Sequence, residues 1–232
     1  ELQPKNAVIG DVNMTLIATY KIIEETPNEL MKILSEYETK HNNSDDKKVF
    51  YYEMRDSFNK KLENNIYDIY TSALFIYLNK TCFNGLFRVN SKGLFNVPFN
   101  NKKEVKIYDT DNIRDISKYM KHVDAAVRDF EGTCKTARKG DFVFFDSPYV
   151  PLNDDSFQSY TKEGFSLDEH IRLSKLYKEL SDKGVYCMLT NHNTKLINDL
   201  YKDFRIDVVN VKRLINRDAN KRTGEEVIIT NY

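Results

Sequence analysis

The sequence predicts an α/β fold: a mostly parallel sheet that closes on an antiparallel hairpin and is interrupted by a helical insert. Three observations carry this. Short apolar runs at residues 7–11, 124–127, 142–145 and 184–190 alternate with stretches whose apolar residues recur at helical spacing, the pattern of a sheet covered by helices on both faces. Two final strand-like runs, 206–211 and 226–230, are joined by a basic loop with no helix between them, so they pair antiparallel. From about residue 38 to 122 helical patterns take over. The organisation that follows is a discontinuous core of residues 1–37 and 123–232 around an insert of 38–122.

Residues 7–11 (AVIGD) form a short buried strand that ends on an acid. Asn13 caps the helix after it, which places Leu16, Ile17, Tyr20 and Ile23 on one face. Thr26-Pro27-Asn28-Glu29 has the form of a capping box with Pro at the first helical position, and opens a helix through about residue 37. The polar run 38–48 (ETKHNNSDDKK) is an exposed loop. Helical patterns then cover 48–60 and 64–80, the second with Ile66, Ile69, Tyr70, Ala73, Leu74 and Tyr77 in register. Residues 81–100 break the periodicity and carry a turn signal at Asn90-Ser91-Lys92-Gly93. Later, Ser166 and Glu169 cap a helix that runs to about Asp182, and residues 194–202 form another.

The chain has 232 residues, of which 41% are hydrophobic, with a formal net charge of zero. A neutral total supplies no global pull toward nucleic acid or membrane, so any polyanion site must be a local patch. The three cysteines form no C-x-x-C, and the four histidines no H-E-x-x-H or H-x-E pattern, so neither structural zinc nor a metal centre is expected. No apolar run approaches the roughly 20 residues that cross a bilayer. A cytoplasmic protein without membrane contact is the expectation. The chain opens on Glu1 and reaches its first strand at once, so an upstream segment is expected too.

Three candidate strand ends carry acids: Asp11, Asp129 and Asp146. In a doubly wound sheet ligands bind beyond the carboxyl ends of the strands, where an adenosine-like ligand needs acceptors for its hydroxyls and amino group. Each acid alone is equally a turn former or helix cap. Asp146-Ser147-Pro148-Tyr149 is sharper. An exocyclic amine on a base has two N–H donors. A carboxylate and the carbonyl one residue later can accept both and draw the lone pair out of the ring. A Pro stiffens that carbonyl, and a tyrosine ring stacks on the base. The competing reading is a plain strand-to-loop turn under an aromatic lid. In residues 81–100, amides, aromatics and one Arg are mixed; Arg pairs with guanine and Asn with adenine. Six basic residues against one acid between 79 and 106, and five against one between 212 and 222, suit phosphate contacts as well as a solvated surface.

These residues carry a resemblance. TCFNGLFRVNSKGLFNVPF (81–99), AVIGDVN (7–13), DSPYVPL (146–152), LTNHNT (189–194) and KRTGEEVIITNY (221–232) resemble, in order, the Dam-type DNA adenine-N6 methyltransferases, which use S-adenosylmethionine, usually at GATC. The resemblance implies a Rossmann-like methyltransferase core with a helical target-recognition insert, its first strand and Gly-rich turn lying before residue 1. It implies that Asp11, Asp129, Phe130 and Asp146 hold the cofactor, and that Asp146, Ser147, Pro148 and Tyr149 form the catalytic turn. DNA is then met by Phe83, Asn84, Arg88, Asn90, Lys92 and Pro98, with Arg88 on a guanine, and by Arg213, Lys221 and Arg222 on phosphates. No metal is required. The implied partner is double-stranded DNA, the protein a monomer or weak dimer of bacterial or phage origin, alone or in a restriction–modification pair. The family has Pro where this chain has Ser147; the carbonyl remains but its φ restraint is lost. Two other functions stay open: a catalytically impaired GATC-binding regulator, and N-methylation of another planar amine such as RNA adenine or glutamine.

Overall fold

The computed structural model describes residues 4–152, 165–212 and 223–232. Its contacts divide the chain into two compact units, Glu1–Asp129 and Phe130–Tyr232.

In the first unit, β1 (Ala7–Asp11) pairs in parallel with β2 (Val123–Val127). Helix α1 (Met14–Glu25) begins as expected, with Asn13 Oδ1 accepting from the Thr15 and Leu16 amides at 3.0 and 3.2 Å. Helix α2 (Pro27–Asn43) departs from expectation at both ends. Thr26 forms no capping box; its hydroxyl donates backward to the Ile22 carbonyl, leaving Pro27 to set the start of the helix. The expected 38–48 loop is instead mostly helix. Glu38 and Asn42 are polar because they meet backbone: Glu38 accepts from the Ile107 amide at 2.6 Å, and the Asn42 amide pairs with both main-chain groups of Val105 at 3.1 and 3.0 Å. His41 between them is fully buried, bonded to the Tyr77 hydroxyl at 2.9 Å.

Helix α3 (Lys47–Glu63) is capped by Asp46. Helix α4 (Ile69–Thr81) starts later than the predicted residue 64, because Asn65 turns the chain through a positive φ of 54° and Asp68 caps at Thr71. Helix α5 (Thr110–Met120), which the sequence reading did not single out, buries Ile113, Ser117 and Met120 along one face. Leu30, Leu34, Tyr51, Phe58, Tyr77 and Ile107 show no exposed surface and join α2, α3 and α4 to the segment 95–107. Each such side chain contributes on the order of 2 kcal/mol.

The second unit runs α6 (Phe130–Cys134), β3 (Phe142–Phe145), α7 (Leu167–Asp182), β4 (Tyr186–His192), α8 (Lys195–Leu200), β5 (Arg205–Lys212) and β6 (Thr223–Thr230). The sheet order is β3-β4-β6-β5: β3 and β4 are parallel, and the β5–β6 pair is antiparallel as expected. The described strands therefore form two sheets where one was expected, since β1 pairs only with β2 and β3 only with β4. Among the described residues of this unit, the four-stranded sheet packs helix on one face. Phe145, Cys187, Leu189, Val227 and Ile229 face the core with Leu173 and Tyr177 of α7, while Phe142, Phe144 and Tyr186 on alternate positions are exposed. Ser166 caps α7 at the Glu169 amide as the sequence indicated. The buried Tyr177 hydroxyl lies 2.9 Å from the Cys187 carbonyl and 3.2 Å from that of Ile229, tying β4 to β6; Tyr201 packs edge-on against its ring.

His170 on α7 is 2% exposed, sits against the Phe165 ring, and its Nε2 has no partner among the described residues. Burial lowers its pKa to about 4. The unfolded chain takes up this proton first, so the contribution is complete above about pH 6.5 and is lost as pH falls toward 4. The urea midpoints of wild type and His170→Gln, compared at pH 7 and pH 4.5, should show wild type losing about 2 kcal/mol more than the variant.

Candidate active site and nucleic-acid interface

Because β3 and β4 are parallel neighbours, their carboxyl ends lie side by side. Just past β3 the chain turns outward at Asp146, exposed, through Ser147 and Pro148 to the half-buried Tyr149 and the buried Val150. The end of β4 holds this turn. Asn191, 1% exposed, accepts from the Val150 amide at 2.8 Å and from the His192 amide at 2.9 Å with the same Oδ1. His192 Nδ1 lies 2.7 Å from the Val150 carbonyl, and since a carbonyl only accepts, Nδ1 carries the proton. The His192 ring stands edge-on to Tyr149, with centroids 5.0 Å apart and an interplanar angle of 83°. Glu226 of β6 is the cross-strand partner of His192. The Tyr149 phenol is held above its ordinary pKa, chiefly by burial; the Thr190 hydroxyl pulls it down, and the charges of Glu226 and Asp146 push it up. An acid, a carbonyl-bearing turn and an aromatic ring are thus presented together on a fixed main chain. The Ser147 Oγ and the Asn191 Nδ2 are buried with no partner among the described residues.

Phe130 opens α6 in the same unit. The Arg172 guanidinium lies 4.3 Å above its ring and pairs with Glu131 at 3.1 Å and Glu169 at 3.2 Å. Asp11 ends β1, and its Oδ1 accepts from the Asn13 amide at 2.7 Å. That bond makes it a turn former, and its second oxygen is left to accept from elsewhere. Asp129 is half-buried two residues beyond β2.

The segment 81–100 is a hairpin held on the first unit. Phe95, Val97 and Phe99 point into the core, so Asn96, Pro98 and Asn100 point the other way. Residues 83–93 are exposed throughout. At its start Asn84 and Gly85 both take positive φ, 55° and 64°, a left-handed pair that Asn and Gly tolerate best. The Phe83 amide donates to the Pro98 carbonyl at 2.8 Å. Asn90 organises the tip, its Oδ1 accepting from the Lys92 and Leu94 amides at 2.9 and 3.1 Å. Arg88 crosses to Asn96, Nε to Oδ1 at 2.7 Å. Phe87, Val89, Lys92 and Leu94 of the hairpin share a cleft of about 440 Å³ with Val12–Thr15, the residues directly after Asp11. Arg213, Lys221 and Arg222 lie outside the described residues.

The structure thus groups Asp146–Tyr149 within the second unit and Phe83–Pro98 within the first. Asn191, His192, Glu226, Asn59 and Asn96 were not assigned roles from sequence, although LTNHNT and NVPF contain three of them. Among the described residues no helix is long and apolar enough to cross a membrane, and no group of three or more His, Cys, Asp or Glu could hold a metal.

An α/β protein with an acid, a turn and an aromatic at a strand end, and a separately anchored Arg- and Asn-bearing hairpin, has the parts of an enzyme that acts on a nucleobase. The chain belongs to the D12 class N6 adenine-specific DNA methyltransferase family, whose pattern matches residues 1–215. It is 41% identical over 234 residues to the type II methyltransferase M.MjaIII of Methanocaldococcus jannaschii, covering 98% of this chain and 81% of that protein. It is 38% identical to the type II methyltransferase M1.LlaDCHI of Lactococcus lactis, covering 100% and 81%. With the DNA adenine methylase of Escherichia coli K12 it shares 25% identity over 97% of this chain and 78% of that protein. The family is S-adenosylmethionine-dependent. Within the first unit, Asp11 bonds the Asn13 amide through Oδ1 alone, so its second carboxylate oxygen is of the kind that can accept from a hydroxyl.

Asn191→Ala removes the acceptor for two amide hydrogens around Val150. It should lower stability by about 2 to 4 kcal/mol in urea denaturation, more than a typical surface substitution.

Proposed function

We propose that the protein transfers a methyl group from S-adenosylmethionine to N6 of an adenine swung out of duplex DNA, within GATC. The observation that carries this reading is the turn Asp146–Tyr149 at the carboxyl end of β3, with Val150 pinned by Asn191 and the Tyr149 ring braced by His192. In this reading residues 1–37 and 123–232 form a Rossmann-like core, and 38–122 is the DNA-recognition insert. The cofactor, when bound, supplies an electrophilic methyl group. Asp146 accepts one hydrogen of the adenine amine and the Ser147 carbonyl the other, which concentrates the nitrogen lone pair toward the methyl. Tyr149 stacks on the base after it leaves the duplex. No strong base is needed, because the product ammonium loses its proton after transfer. Asp11, Asp129 and Phe130 would hold the cofactor. Phe83, Asn84, Arg88, Lys92 and Pro98 would face DNA, with Arg213, Lys221 and Arg222 on its phosphates. Asn90 would act through the turn that it closes. GATC rests on the likeness of residues 81–99 to the Dam-type reading segment. The relatives named type II methyltransferases support a modification role beside a restriction enzyme.

Methyl incorporation into a GATC duplex by the full-length protein should fall about 100-fold or more in Asp146→Ala and Tyr149→Ala, with DNA affinity nearly unchanged. Ser147→Pro should match or exceed the wild-type rate. Wild-type turnover by Asp146→Ala would sink the reading; tight GATC binding with no incorporation by wild type would favour a regulator instead.

A further inference from the structure

Arg88 and Asn96 are cross-strand partners in the recognition hairpin. The Asn96 amide donates to the Arg88 carbonyl at 3.1 Å, so the two side chains leave the hairpin on one face. The Arg88 Nε donates to Asn96 Oδ1 at 2.7 Å, and Nη2 reaches the Asn96 carbonyl at 3.5 Å. One edge of the planar guanidinium is therefore engaged inside the hairpin. The opposite edge, formed by Nη1 and the second hydrogen of Nη2, is left pointing away. That edge offers two parallel N–H groups, the arrangement that meets O6 and N7 of guanine.

Asn96 can act as a brace because it cannot easily move. On its near side, Asn59 of α3 pairs with both main-chain groups of Phe95, donating to its carbonyl at 3.0 Å and accepting from its amide at 2.8 Å. On its far side, the Tyr51 hydroxyl, two helical turns earlier, donates to the Val97 carbonyl at 2.8 Å. The Phe95 and Val97 side chains are 2% and 1% exposed. Asn96 is held between two main-chain anchors and two buried side chains, and Arg88 is held by Asn96.

We propose that Asn96 is a specificity-determining positioning residue: it fixes the Arg88 guanidinium so that only its outer edge can meet a base, and so sets guanine discrimination before DNA arrives. A long flexible side chain loses much freedom on binding, and here that freedom is already lost in the unbound protein. The inference rests on the reading of Arg88 as the guanine contact. The test is therefore built to separate the two.

The experiment measures equilibrium binding and kcat/KM of the full-length protein on GATC duplexes in which each guanine in turn is replaced by 7-deazaguanine, which lacks the N7 acceptor. Wild type should lose about 10-fold at one guanine. Arg88→Ala should lose nothing further there. Asn96→Ala should show a penalty of about 3-fold or less, with affinity for a duplex lacking GATC unchanged, whereas Asn96→Asp, which keeps the acceptor, should retain the wild-type penalty. If Arg88→Ala abolishes the penalty and Asn96→Ala keeps all of it, the brace is overturned while the guanine contact stands. Loss of the penalty in Asn96→Asp as well would also overturn it. A full penalty in Arg88→Ala overturns both. Circular dichroism melting of each variant confirms that the fold is kept.

Discussion

One buried amide oxygen organises the carboxyl ends of β3 and β4 in the second unit. Asn191 Oδ1 receives hydrogen bonds from its own neighbour His192 and from Val150, forty-one residues earlier, and so joins the ends of two parallel strands. Parallel pairing brings those ends close, but the described residues just beyond β3, 146–152, have no strand partner of their own. Without the Asn191 oxygen the Val150 amide would be buried and unpaired, and the stretch back to Asp146 would be tethered beyond β3 only by the His192 bond to the Val150 carbonyl. The placement of Tyr149, of the Ser147 carbonyl and of Asp146 all follow from where Val150 is held. The His192 contact adds orientation: a bond to the Val150 carbonyl fixes the imidazole, and the imidazole edge fixes the plane of the Tyr149 ring.

The hairpin of residues 81–100 uses the same device in another place. One side-chain amide and one phenol from α3, Asn59 and Tyr51, take the place of a strand beside Phe95 and Val97, bonding to main-chain groups that a β partner would otherwise satisfy. This lets a nearly isolated hairpin keep a defined shape while its outer run, residues 83–93, stays open to solvent. A rigid scaffold with an exposed edge is what the proposed contact with DNA would demand, since small displacements of a donor misalign it with a base edge.

Several local features of the fold were legible in the sequence, for identifiable reasons. Asp11, Asp146 and Arg88 stand in short motifs where local pattern and turn chemistry agree, and the caps at Asn13 and Ser166 are purely local interactions. The reading failed where tertiary contacts override composition. Residues 38–43 look like loop because they are polar, yet Glu38 and Asn42 are polar in order to bond the backbone of 105–107, some sixty residues away. Thr26 and Glu29 have the spacing of a capping box, but the preceding helix captures the hydroxyl first. Asn191 and Asn96 were invisible as supports because an amide in a strand says nothing of its partner. Two sheets rather than one could not be foreseen either, since strand-like runs give no register among themselves.

The molecule contains no Trp and 15 Tyr, and the largest of its fully buried side chains are Tyr51, Tyr77, Tyr177 and Tyr201. Burial raises the phenol of each above its ordinary value, so each keeps its proton further into alkali in the fold than in the unfolded chain. The unfolded chain releases those protons first as alkalinity rises past the usual tyrosine range, and stability falls from there. Both compact units therefore share an alkaline ceiling set by the same hydroxyls that knit their interiors: Tyr51 to the hairpin, Tyr77 to His41, and Tyr177 to two strands at once.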